Sequence, residues 1–167
     1  VGNGPGTGII DPPIVVNDSA NPAVDQVFVF TGCSNVLGIG GAISQAPANF
    51  TSASAYTTVD LGSASGNGDC TGLNVHAGDF DNAFWTSGTT TGHILACGFV
   101  NNGGKPSNPT IYMYPFASGQ VTNPTGGPKS WVANATKGDE CSSLTEFSDG
   151  ITDRLFFGTG GATDGFI

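Results

Sequence analysis

The sequence predicts an all-β protein with little or no helix, and three observations carry that reading. Glycine and proline, 27 and 10 of the 167 residues, both disfavour helix interiors. No window places apolar residues at helical spacing over three turns. Short apolar runs rich in Val, Ile, Phe and Thr recur instead, bounded by glycine or by polar turn residues, as strands are. The hydrophobic fraction of 38% is enough to offset the entropy of ordering, so a flexible low-complexity chain is the weaker expectation. The length suits one all-β domain spanning 1–167.

Within it the strands repeat. The segments "DPPIVVNDSANPAVDQVFVFTG", "DNAFWTSGTTTGHILACGF" and "SSLTEFSDGITDRLFFGTGG" share one grammar: a short apolar strand, a polar loop, then a strand ending at glycine. The second strands begin at Val27, His93 and Arg154, 66 and then 61 residues apart. Third strands follow at Gly41–Gln45, Thr110–Tyr114 and Gly165–Ile167, and fourth strands at Tyr56–Val59 and Lys129–Val132. Four antiparallel strands per unit, repeated, are the pattern of a propeller blade. The units run over about 8–66, 67–136 and 137–167, the third being incomplete. In "TIYMYPF", Ile111, Met113 and Pro115 alternate with Tyr112, Tyr114 and Phe116, so both faces of that strand are expected to be covered. A β-sandwich is the competing arrangement, but it has no reason to repeat at about sixty residues.

The stretches "DNAFWTSGTTTGHILACGF", "NPTIYMYPF" and "DRLFFGTGG" resemble the repeat region of large secreted bacterial β-propeller-type proteins. That resemblance implies a propeller-like fold and an exported protein. It carries over no catalytic residue and no cofactor.

A closed propeller needs at least about four blades, and two units plus part of a third leave strand edges open. Such edges are templates for added backbone. Two expectations follow: the chain is a piece of a longer one, or copies of it pair head to tail and build a filament or surface layer by strand addition. The apolar stretch "TGIIDPPIVV" is the candidate donor strand.

Charge narrows the partners. Four Lys or Arg against thirteen Asp or Glu give a net charge of −9, and Lys105, Lys129, Lys137 and Arg154 are scattered. Nucleic acid, which demands clustered positive charge, is excluded as a partner, and an anionic membrane surface is disfavoured too. No run reaches the roughly 20 apolar residues of a membrane helix, so no membrane insertion is expected. An exported protein of this kind is expected to have shed its signal peptide.

Cys33, Cys70, Cys97 and Cys141 contain no C-x-x-C pair, so zinc and thioredoxin-like chemistry are poorly supported. In a charge-poor, Ser/Thr-rich chain they read as two disulfides and an extracellular or cell-surface location, with free buried thiols as the rival. Equivalent positions in the repeat favour Cys33–Cys70 and Cys97–Cys141, although four cysteines allow three pairings. Asn17, Asn49 and Asn134 open N-x-Ser/Thr sequons, candidates for glycosylation.

Catalysis has little to work with. His76 and His93 lie near no nucleophile elbow and no second metal-ligating His, and Glu140 and Glu146 read as loop acids. Asp79 and Asp81 in "GDFDN" are weak calcium candidates, turn residues being the plainer reading. The aromatic set Phe84, Trp85, Tyr112, Tyr114 and Trp131 offers a second function class, a carbohydrate-binding platform, against the commoner role of aromatics as core.

Overall fold

The computed structural model describes residues 8–17, 25–33, 38–49, 56–62, 74–87, 91–100, 108–132 and 139–160. Its first sheet is an antiparallel meander of β1 (Ile14–Val16), β2 (Gln26–Thr31), β3 (Ala42–Pro47) and β4 (Thr57–Asp60), in that order. The second runs through β5 (Asp79–Phe80), β6 (His93–Val100) and β7 (Asn108–Ala117). Beyond β7 it continues to β8 (Gln120–Val121) at one end and β9 (Lys129–Val132) at the other. Two small antiparallel pairs follow: β10 (Glu140–Cys141) with β13 (Thr159–Gly160), and β11 (Thr145–Ser148) with β12 (Asp153–Phe156). None of these sheets closes on itself.

Why β7 holds the centre follows from its alternation. Tyr112, Tyr114 and Phe116 turn toward sheet one and join Phe28, Phe30 and Ile43 in the main core. Ile111 turns the other way, into a smaller cluster with Cys97, Cys141 and Leu144, against which Leu95 and Leu155 pack. Both faces of sheet two are therefore covered, and the molecule has three layers. The main core is aromatic: Phe80 stacks on Phe84 at 4.2 Å and meets Phe28 edge-on at 5.0 Å, geometries that suit the ring quadrupole.

Two backbone devices fix how the layers meet. At the β7–β8 hairpin Ser118 and Gly119 both take positive φ, 53° and 79°, the pairing that a two-residue turn needs to match strand twist. At the junction of sheets one and two, the Phe99 N–H donates to Gly40 O at 3.1 Å. A Cβ on Gly98 would sit 2.4 Å from Leu61 Cβ, so only glycine allows this approach.

Gln45 bolts the two sheets together. Its Nε2 donates to Gly119 O at 2.7 Å and its Oε1 accepts from Val121 N–H at 2.7 Å. This buried amide is thus paired at both ends, as buried polar groups must be.

Two expectations are corrected here. The opening of "DNAFW" is not a strand but a helical turn, α1 (Asn82–Thr86), started by Asp81, whose carboxylate takes the Phe84 N–H at 3.0 Å. The strand lies just before it, at β5. Nor is "TGIIDPPIVV" a free donor: Ile14–Val16 pair with Phe28–Gln26 inside sheet one, and Gly8 O accepts from Gly32 N–H. Nearby backbone wins this strand because closing a short loop costs little entropy. The expected strand Gly165–Ile167 lies outside the described residues.

Candidate functional site

The third layer is where the chain presents chemistry to solvent. It is held at its base by the Cys97–Cys141 disulfide, which joins β10 to β6 across 44 residues of sequence. Bridging a loop of that length stabilises by about 4 kcal/mol in the chain-entropy account. Cys33 is also disulfide-bonded and buried; Cys70, its expected partner, lies outside the described residues.

Asp11 makes the second fastening. Its Oδ2 accepts from Ala77 N–H at 2.7 Å and Ser143 Oγ at 2.9 Å, and His76 Nδ1 lies 3.2 Å away. One carboxylate thus joins the segment before β1, the lead into β5 and the lead into β11. Burial raises its pKa, but the donors from Ala77, Ser143 and His76 outweigh that and hold it below the ordinary carboxylate value.

Above this base stands the β11–β12 hairpin. Its tip is organised by Asp149, whose Oδ1 accepts from the N–H groups of Ile151 and Thr152, while Oδ2 takes Arg154 Nη1 at 2.8 Å. Gly150 supplies the positive φ of 85° that the turn requires. Alternation divides the two strands. Glu146 and Leu155, cross-strand partners, face sheet two, with Leu155 packed on the smaller cluster. Phe147 and Phe156 face outward, each 56% exposed.

The inward face carries an acidic seam. Glu146 and Asp153 border a cavity of about 200 Å³ whose apolar side is Leu95, Met113 and Leu155, with Asp81 at its edge. Glu146 Oε1 is buried without a hydrogen-bond partner. Its carboxyl is pushed above the ordinary value by burial first, then by the charges of Asp153 and Asp79, hydrogen bonding to Asp153, and the charge of Asp81.

Asp79 and Asp81, read as weak calcium candidates, are occupied by donors of the protein itself. Asp79 accepts from Phe80 N–H at 2.8 Å and, across the layers, from Glu146 N–H at 2.7 Å. Asp81 caps α1 and binds His93 twice, at its backbone N–H (2.9 Å) and at Nδ1 (2.6 Å). They act as structural acceptors, a use the turn-rich sequence "GDFDN" favoured.

The aromatic platform does not assemble. Tyr112 and Tyr114 are buried in the main core because they alternate in phase with Phe116. Burial pushes the Tyr112 phenol up to about 12, against a lowering hydrogen bond with Thr110, and drives Tyr114 up as well, helped by Tyr112 and Asp60. The Tyr114 hydroxyl donates to Asp60 O. Phe84 is buried too. Trp85 and Trp131 stay 55% and 51% exposed, but Trp85 rides on α1 against Phe80 and Phe84. Trp131 pairs with Ile111 and so lies on the opposite face of sheet two.

Of the sequons, Asn17 and Asn49 are exposed, Asn17 with its Nδ2 on Asp25 at 2.8 Å; Asn134 lies outside the described residues. What the sequence reading missed is the set of long-range acid contacts: Asp11 with His76 and Ser143, Asp81 with His93, and Asp79 with the Glu146 N–H. Comparison with known proteins adds no relative: no protein-family model, no curated protein and no solved structure matches the chain.

Proposed function

We propose that this chain is a non-enzymatic extracellular structural protein built of propeller-like four-stranded units. Copies of it associate head to tail in a filament or surface assembly by β-strand addition. The observation that carries this reading is the outer side of the β11–β12 hairpin. Phe147 and Phe156 stand on a two-stranded sheet with no described strand beyond β12, and Ile151 at its tip is 95% exposed. Exposed large apolar side chains beside an unpaired strand edge are the combination that added backbone covers. The disulfides support an oxidising compartment. The histidines support a structural role, since each is paired with an aspartate that fastens one segment to another.

Sedimentation and electron microscopy of the native protein test this directly. Concentration-dependent polymers or sheets are expected, and a Phe147→Ser/Phe156→Ser double variant should stay monomeric with unchanged stability. A wild type that remains monomeric at every concentration, with no ordered material on grids, rejects the reading.

A second reading rests on Trp85 and Trp131, whose exposed rings suit stacking on sugars. It makes the chain a secreted carbohydrate-binding or adhesion module belonging to a longer polypeptide. Glycan-array binding that is lost in Trp131→Ala would favour it over assembly.

A further inference from the structure

The seam between the hairpin and sheet two places four carboxyl groups together, and their neighbours on every packed element can be named. From β11 comes Glu146. From β12 come Asp153, diagonal to it across the hairpin, and Arg154, whose guanidinium is held by Asp149; both border the same cavity. From β5 comes Asp79, which accepts the Glu146 N–H at 2.7 Å. From the cap of α1 comes Asp81, bound to His93 of β6 at 2.6 Å. β7 offers only uncharged Met113, and Lys129 of β9 lies beyond it, lining a neighbouring cavity with His93. Among the described residues of this seam, Glu146 Oε1 is the one buried acceptor without a hydrogen-bond partner.

Like charges bordering one small cavity cannot all stay ionised without cost, and a proton shared between two carboxyls removes one charge and adds one hydrogen bond. We propose that the β11–β12 hairpin is a proton-operated clasp, closed when Glu146 carries a proton and shares it with Asp153, and loosened when that proton passes to solvent. The Cys97–Cys141 bond keeps β10 at its post in either state. Opening is therefore confined to β11 and β12, between Leu144, whose N–H donates to Ala77 O at 3.0 Å, and Gly158, which is bonded to Ser142 beside β10. The half-buried Glu146 carboxyl, with Oε1 out of solvent and a bias toward the neutral form from burial and acidic neighbours, suits that duty. The clasp stands apart from the assembly reading, because hairpin docking is a property of one dilute molecule.

Hydrogen exchange of the intact, oxidised protein read by mass spectrometry at pH 5 and pH 8, with intrinsic rates divided out, tests it. Amides of 145–156 should lose protection several-fold at the higher pH while those of β6 and β7 keep theirs. Glu146→Gln, which retains a neutral donor toward Asp153, should hold the hairpin equally well at both pH values. Asp153→Asn, which removes the opposing charge, should do the same, and protection of β6 and β7 in the same data reports whether each variant folds. Equal wild-type protection at both pH values overturns the clasp. So does an undiminished pH response in folded Asp153→Asn or folded Glu146→Gln.

Discussion

The two faces of sheet two are held by different physics. On the side of sheet one, Phe28, Phe80, Phe84 and Phe116 interlock over strand pairs several residues long. On the other side, Ile111 and Leu144 with Leu95 and Leu155, one disulfide and a few carboxylates hold a layer made of strands two to four residues long. The first contact is broad and rests mainly on packed rings, which neither titrate nor change with redox state. The second is narrow, and beside a small apolar cluster it leans on a disulfide and carboxylates, groups that can be reduced or titrated.

The largest expected effect separates the two by deletion. Phe80→Ala should cost about 3–5 kcal/mol, read as a lowered denaturant midpoint, and should unfold all layers together. If the third layer alone were lost, the main core would not be the support of the fold. Next, Cys97→Ala/Cys141→Ala should cost about 2–4 kcal/mol and should raise exchange in β10 and β11 well before β2 and β3. A uniform rise would mean that the layers unfold as one unit.

Gln45→Ala tests whether the joint between sheets is specific. It strands the Val121 N–H and Gly119 O, a loss of about 1–3 kcal/mol, so the β7–β8 turn should exchange faster while the hairpin of the third layer stays unchanged.

Smallest are the pH effects, and they oppose each other. Asp11 has a lowered folded pKa, so its stabilisation is present above the unfolded value and lost as pH falls through the folded one. Glu146 has a raised folded pKa, so its contribution is present below the unfolded value and lost as pH rises through the folded one. Thermal melts across pH should therefore lose their acid-side decline in Asp11→Asn and their decline above the ordinary carboxylate range in Glu146→Gln. An unchanged profile in either variant assigns the decline elsewhere.

How much of this the sequence disclosed depends on range. Strands such as Val27–Phe30 and Lys129–Val132 were legible because β-branched and aromatic runs between turn residues specify themselves locally. The alternation Tyr112, Tyr114, Phe116 told which residues share a face, and the same pattern should have removed both tyrosines from any exposed platform. The turn α1 was illegible: five residues hold it with one cap and the packing of Phe84 on Phe116, a tertiary contact that overrides the strand-like grammar of "DNAFW". The acid contacts were illegible for a different reason. Asp11 and His76 are 65 residues apart and Asp79 and Glu146 are 67 apart, and single acids in polar loops carry no mark of the donor they will meet.

The bond from Cys97 to Cys141 also sets how the molecule would answer a pull. Tension entering through sheet one and leaving beyond β12 passes through sulfur, so the 44 residues it spans stay locked while the strands on either side of them are peeled away. Reduction would release that slack, about 150 Å of extended chain at roughly 3.5 Å per residue, turning a short tether into a long one without breaking the backbone.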